Sequence, residues 1–163
     1  MRSDGTPPNA ETIDKLALTV AREPGSKAFL ALAEEYGKAG MWQEAAAVLE
    51  DGLRHSPGFI TAMVTLGRAY DQLGQAVKAI AILEEAVRLS PENLRAHRIL
   101  AKLYAAQGQK AAAARSCRAI LMANPKDQEA LSICSLLGIS PAGLDADRMA
   151  GRMVRHAAGL ARA

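Results

Sequence analysis

Histidines, thiols, paired carboxylates and glycine-rich turns are the features with which a chain of this size could hold a metal, attack a substrate or cradle a phosphate. Their spacing here supports none of these. His55, His97 and His156 lie far apart, and none has a second ligand at the i+4 helical spacing of metal sites. Cys117 and Cys134 are well separated in the chain with no histidine nearby, so neither a Cys-x-x-Cys redox motif nor a zinc spacing is present. Two buried, reduced thiols behaving as small hydrophobes are expected, with a disulfide as the alternative. Ser116-Cys117-Arg118 falls in mid-helix at a position where related segments carry Leu, not in the exposed electropositive setting of a nucleophilic thiol. Asp145 and Asp147 begin like a calcium loop, but no glycine stands at the place the loop requires and His156 stands where a bidentate Glu is needed. Gly40, Gly74 and Gly108 are isolated rather than members of a phosphate-binding run. No catalytic residue, metal ligand or cofactor is expected, and the chain reads as no enzyme.

The elements that would position a binding surface are therefore the informative part. Of the 163 residues, 50% are hydrophobic and only 4% aromatic, which suits one domain of closely packed helices. The net charge of +3 and a pI near 9.0 come from Lys and Arg interleaved with Asp and Glu, so no nucleic-acid footprint stands out. Met1 to Ala10 lacks the apolar segment of a secretory leader, and no apolar run is long enough to span a membrane. A cytoplasmic location is the expectation, and the high Ala and Arg content suggests a bacterial source.

Shifted by the interval from Tyr36 to Tyr70, the chain superimposes on itself. Tyr36, Tyr70 and Tyr104 form one series, Ala45, Ala79 and Ala113 a second, Gly40, Gly74 and Gly108 a third, and Pro57, Pro91 and Pro125 a fourth. Within each unit apolar residues recur at i, i+3, i+4 and i+7, as in Phe29, Leu32, Ala33 and Tyr36, which predicts a first helix with one apolar face. The glycine suits a left-handed cap that ends this helix, and the proline cannot continue the second, so each unit is two antiparallel helices. Ala33, Gly67 and Ala101 would allow close approach, and a large side chain there should clash. On the outer side, Glu50 with Arg54 and Glu84 with Arg88 are spaced as i, i+4 ion pairs. Trp42, just after Gly40, is expected to pack partly rather than stack on a ligand.

The pattern of a bulky opener, a Leu followed by a small residue, then Tyr, Ala and a closing Pro resembles the tetratricopeptide repeat (TPR) family over residues 26–59, 60–93 and 94–127, about 102 of 163 residues. His97 departs from the usual bulky opener, and Gly52 and Ile120 stand where Ala86 is typical. The resemblance implies an all-α, right-handed α-solenoid of three tandem 34-residue helix-turn-helix repeats. A cap helix over 10–25 precedes the first repeat, with residues 1–9 disordered, and 128–163 forms a degenerate fourth repeat or C-terminal capping helices. Within that tail, 128–137 reads as another first-type helix closed by Gly138. A segment near 145–161 has Met149, Met153 and Leu160 on an apolar stripe opposite Arg148, Arg152 and Arg155; the alternatives to capping are mobility, subunit pairing or an anionic membrane surface.

The resemblance also implies that first helices line a concave groove that binds extended peptides or partner helices. Periodicity puts Lys27, Leu30 and Glu34 on that side of the first unit, Thr61, Val64 and Arg68 on the second, and Arg95, Arg98 and Lys102 on the third. The last three are spaced i, i+3, i+7, so an acidic segment or a terminal carboxylate could dock there; an ordinary solvated face is the alternative. Chaperone-docking relatives use Lys and Asn at positions that here hold Leu30, Glu34, Thr65, Arg95 and Ile99, of which only Arg95 fits. The expected function is a non-enzymatic adaptor for a protein or peptide. The alternative is a self-assembling scaffold in which a terminal helix docks into a neighbouring subunit, a homo-oligomer.

Overall fold

The computed structural model describes residues 5–144 and contains eight helices and no strand among them. The helices are α1 (Ala10–Arg22), α2 (Ala28–Lys38), α3 (Trp42–His55), α4 (Ile60–Gln72), α5 (Ala76–Leu89), α6 (Leu94–Ala106), α7 (Lys110–Ala123) and α8 (Gln128–Leu136). The segment near 145–161 expected to be amphipathic lies outside the described residues. The chain divides into two compact units, 1–96 and 97–163, with the boundary inside α6.

In the first unit each helix packs on the next, α1 on α2 through to α5, and α4 also touches α2. Its core is the apolar stripe expected from the sequence: Phe29, Leu32, Ala33, Leu49, Met63, Leu66, Ala79 and Leu83 are all buried. The turn after α2 closes as a Schellman motif, with Met41 N–H donating to Tyr36 C=O at 2.8 Å and Gly40 N–H donating to Gly37 C=O at 3.1 Å. The same pair of bonds follows α4 and α6, and Gly40, Gly74 and Gly108 take φ of 74°, 72° and 70°. These values lie where a side chain is strained and glycine is not. The identical glycines of the repeat are thus backbone requirements.

Two close approaches fix the hairpin packing. A Cβ added at Gly67 would lie 2.5 Å from Cγ of the fully buried Leu83, so α4 and α5 meet there without room for a methyl group. At Gly52 the added carbon would fall within the Phe29 ring. The position that departs from the family pattern is therefore explained by the size of its neighbour. Phe29 also meets Phe59 edge to face at 5.9 Å between ring centroids.

The outer ion pairs differ from expectation. Arg54 pairs with Asp51 at 3.6 Å and Arg88 with Glu85 at 2.5 Å, both at i, i+3. Glu50 is instead turned toward α4, where its carboxylate accepts a hydrogen bond from the Tyr70 hydroxyl at 2.6 Å. Burial, and then that bond to Glu50, push the Tyr70 phenol up to about 12. A raised folded pKa means that the contribution is whole below the ordinary tyrosine value and is lost as pH rises through about 12. In an alkaline titration followed by tyrosinate absorbance, Tyr70 should ionise late, and Tyr70→Phe should remove that late phase.

In the second unit Ala101 of α6, Cys117 and Ile120 of α7, Ala130, Ile133 and Cys134 of α8, and Leu144 form one buried cluster. α8 begins one repeat period after α6 but has 9 residues where α4 and α6 have 13, so its last turn is missing. Its closing glycine, Gly138 at φ 65°, occupies the place where the preceding units carry the tyrosine. Cys134 takes the tyrosine's role in the cap, its carbonyl accepting from Ile139 N–H at 2.8 Å.

Candidate functional site

The candidate site is built from the non-core sides of the first helices. In the first unit, Lys27, Glu34, Thr61 and Arg68 are exposed and Leu30 is half-buried. Val64 differs: it is 6% exposed, because α4 is packed by α2 as well as by α3 and α5 and its free side is narrower than periodicity alone implies. Two of the exposed cations rest on rings. The Lys27 ammonium lies 5.1 Å from the centroid of Phe59, and the Arg68 guanidinium lies 5.4 Å from that of Trp42. Trp42 is half-buried and packs on Gly37, where an added Cβ would be 2.8 Å from its ring.

Arg95 is exposed on α6. Its companions on that helix are engaged inside the second unit. Arg98 Nη2 donates to Asp127 Oδ2 at 2.5 Å, its Nε lies 3.6 Å from Glu129 Oε2, and Lys102 pairs with Glu129. Asp127 also caps α8, its Oδ1 accepting from Ala130 N–H at 3.1 Å, as Asn93 one repeat earlier accepts from Ala96 N–H at 3.1 Å. The Arg98 guanidinium first, and the Ala130 N–H second, hold the Asp127 carboxyl below its ordinary value. A lowered folded pKa contributes stability above the ordinary aspartate range and loses it as pH falls through the folded value. Asp127→Asn keeps a cap acceptor and removes the charge. Wild type should therefore be the more stable at neutral pH, with the difference closing on acidification, as followed by circular dichroism melts.

Sequence reasoning missed Asp127, Glu129 and the Trp42–Arg68 contact. Asp127 had a local signal, an acidic residue two positions after Pro125 and just before a helix. Nothing local linked it to Arg98, which lies 29 residues away.

Cys117 and Cys134 are free, fully buried neighbours. Burial first, and the adjacent Cys134 second, push the Cys117 thiol up to about 12, so it carries no thiolate at neutral pH. Native protein should react slowly with an aromatic disulfide reagent, and denaturant should release both thiols together. Among the described residues no group of three His, Cys, Asp or Glu side chains could hold a metal ion, and no helix is long and apolar enough to cross a membrane.

Helix pairs that recur at a fixed period, with the same cap ending α2, α4 and α6, define an α-helical repeat protein. The tetratricopeptide repeat family profile matches residues 38–87 and 72–137, and the chain belongs to that family. Its fold is generally that of a non-catalytic interaction module. No curated protein matches the chain. Among solved structures, the crystal structure of MamA is 18% identical, with a TM-score of 0.71 over 90% of this chain and 89% of that one. TTC0263, a thermophilic TPR protein in Thermus thermophilus, is 27% identical, with a TM-score of 0.62 over 78% and 72%. YrrB, described as a TPR protein with an unusual peptide-binding site, is 17% identical, with a TM-score of 0.64 over 85% and 82%.

Proposed function

We propose that the chain is a non-enzymatic module that binds a peptide or partner protein along the exposed sides of its first helices. The observation that carries this reading is the division of α2 and α4 into two sides. Phe29, Leu32, Met63 and Leu66 close the core, while Lys27, Glu34, Thr61 and Arg68 stand exposed on the opposite side, where the core does not need them. The fold shared with YrrB, a protein described as having a peptide-binding site, supports the same reading. For an acidic ligand segment the anchor on α6 is Arg95, since Arg98 and Lys102 are already neutralised by Asp127 and Glu129.

The test is retention of proteins from a lysate of the source cells by wild type, by Arg95→Glu and by Lys27→Glu/Arg68→Glu, with mass spectrometry of what is held. Each variant leaves the Arg98–Asp127 pair intact. A protein retained by wild type and lost with either variant supports the reading and places the site; identical retention by all three baits removes it. Trp42, the only tryptophan, offers a second readout: a ligand that engages Arg68 should shift its emission, as Arg68→Ala should.

A further inference from the structure

The second helix of the third repeat carries an unmatched positive charge where its neighbours carry negative charge. Glu50, Glu84 and Arg118 occupy equivalent positions in successive repeats. Glu50 accepts from Tyr70, the last-turn tyrosine of the following helix. For Arg118 the equivalent of that tyrosine is Gly138, because α8 stops one turn early. Charge is reversed and the ring is gone. What remains is a hollow of about 450 Å³ between α7 and the segment 139–144. Lys110, Arg115 and Arg118 line it over a floor of Ala114, Ile139 and Leu144, and among the described residues no acidic side chain lines it. The Nε of Arg118, a residue that lines this space, is buried with no hydrogen-bond partner. On the other side of Arg118 and Leu144 a second hollow, of about 390 Å³, is lined by Leu121, Met122 and Pro125 among others. Met122 is 65% exposed.

We propose that this pair of hollows is a second binding site, distinct from the first-helix faces, for a partner peptide segment with a carboxylate side chain next to aliphatic ones. The carboxylate meets Arg118 and Arg115, with Lys110 adding charge, because three cations with no counter-charge among the described residues favour an anion and an unpartnered guanidinium N–H favours an acceptor. The aliphatic side chains enter the neighbouring apolar hollow. A hollow of this size holds one or two side chains, so the site reads a short sequence and not a long helix.

The experiment is fluorescence anisotropy of the full chain with labelled, end-blocked Leu-Glu-Ile-Asp-Leu and its Gln/Asn analogue. The acidic peptide should bind about tenfold tighter than the analogue, and Arg118→Gln should erase that preference. Ala111 is exposed at the edge of the larger hollow, so Ala111→Glu leaves the core untouched and should abolish binding by placing a like charge at the site. Arg95→Glu should change nothing, which separates this site from the first-helix faces. Equal affinity for both peptides, binding that survives Ala111→Glu, or loss of binding with Arg95→Glu would each overturn the proposal. So would binding seen only with Asp145→Asn/Asp147→Asn, since the hollow would then belong to the chain's own carboxylates.

Discussion

Phe29→Ala should cost about 4 kcal/mol of stability, and in that background Gly52→Ala should change sign. Phe29 is 1% exposed, contacts Phe59 edge to face and fills the space over Gly52. In wild type an added Cβ at Gly52 lands in its ring, and the overpacking should outweigh the helix-propensity gain, leaving a net loss of about 1–2 kcal/mol. Once the ring is gone only the propensity gain of about 1 kcal/mol is left, so the same substitution should stabilise. Chemical denaturation of the four proteins of this cycle measures both effects. Additive losses would mean that the ring and the glycine do not share one space.

Arg98→Glu should release α8 from the rest of its unit. The substitution sets a carboxylate against Asp127 and Glu129, of which Asp127 has only 8% of its side chain exposed, and removes the partner that balances it. Since Cys134 sits on the buried side of α8, in one cluster with Cys117, the readout is chemical: both thiols should become reactive toward an aromatic disulfide at neutral pH, with a lower melting midpoint, while Arg95→Glu leaves both unchanged. Unreactive thiols in the Arg98→Glu protein would show that the ion pairs do not hold the helix. Loss of ligand binding on reversing Arg98 or Lys102 is thus interpretable only beside such a measurement.

The helical repeat was legible because each of its marks answers a local requirement. Gly40, Gly74 and Gly108 are set by a positive φ, the prolines by where a helix must stop, and Leu32 and Leu66 by the side that faces the core. What covers the other side of a helix was not legible in the same way. Val64 follows the spacing of an outward position but is closed over because α4 also meets α2. Arg98 and Lys102 form a cationic stripe when α6 is considered alone, yet their counter-charges come from Asp127 and Glu129 on a distant stretch of chain. Glu50 likewise left Arg54 for Tyr70. Periodicity reports the direction of a side chain; its partner depends on helices far along the chain.

The volumes at two repeat positions run in opposite senses. The opener falls in bulk from Phe29 to Met63 to His97, while its counterpart on the second helix grows from Gly52 to Ala86 to Ile120. Phe29 and Gly52 share one space, so a bulky opener and a small counterpart must be inherited together. Recombination between copies of this gene segment is therefore not free to cut anywhere within the period. A crossover at 59/60 or 93/94 carries each matched pair intact and should yield folded chains with one repeat more or fewer. A crossover in the turn at 40/74 would join the Phe29 helix to the Ala86 helix and drive a methyl group into the ring.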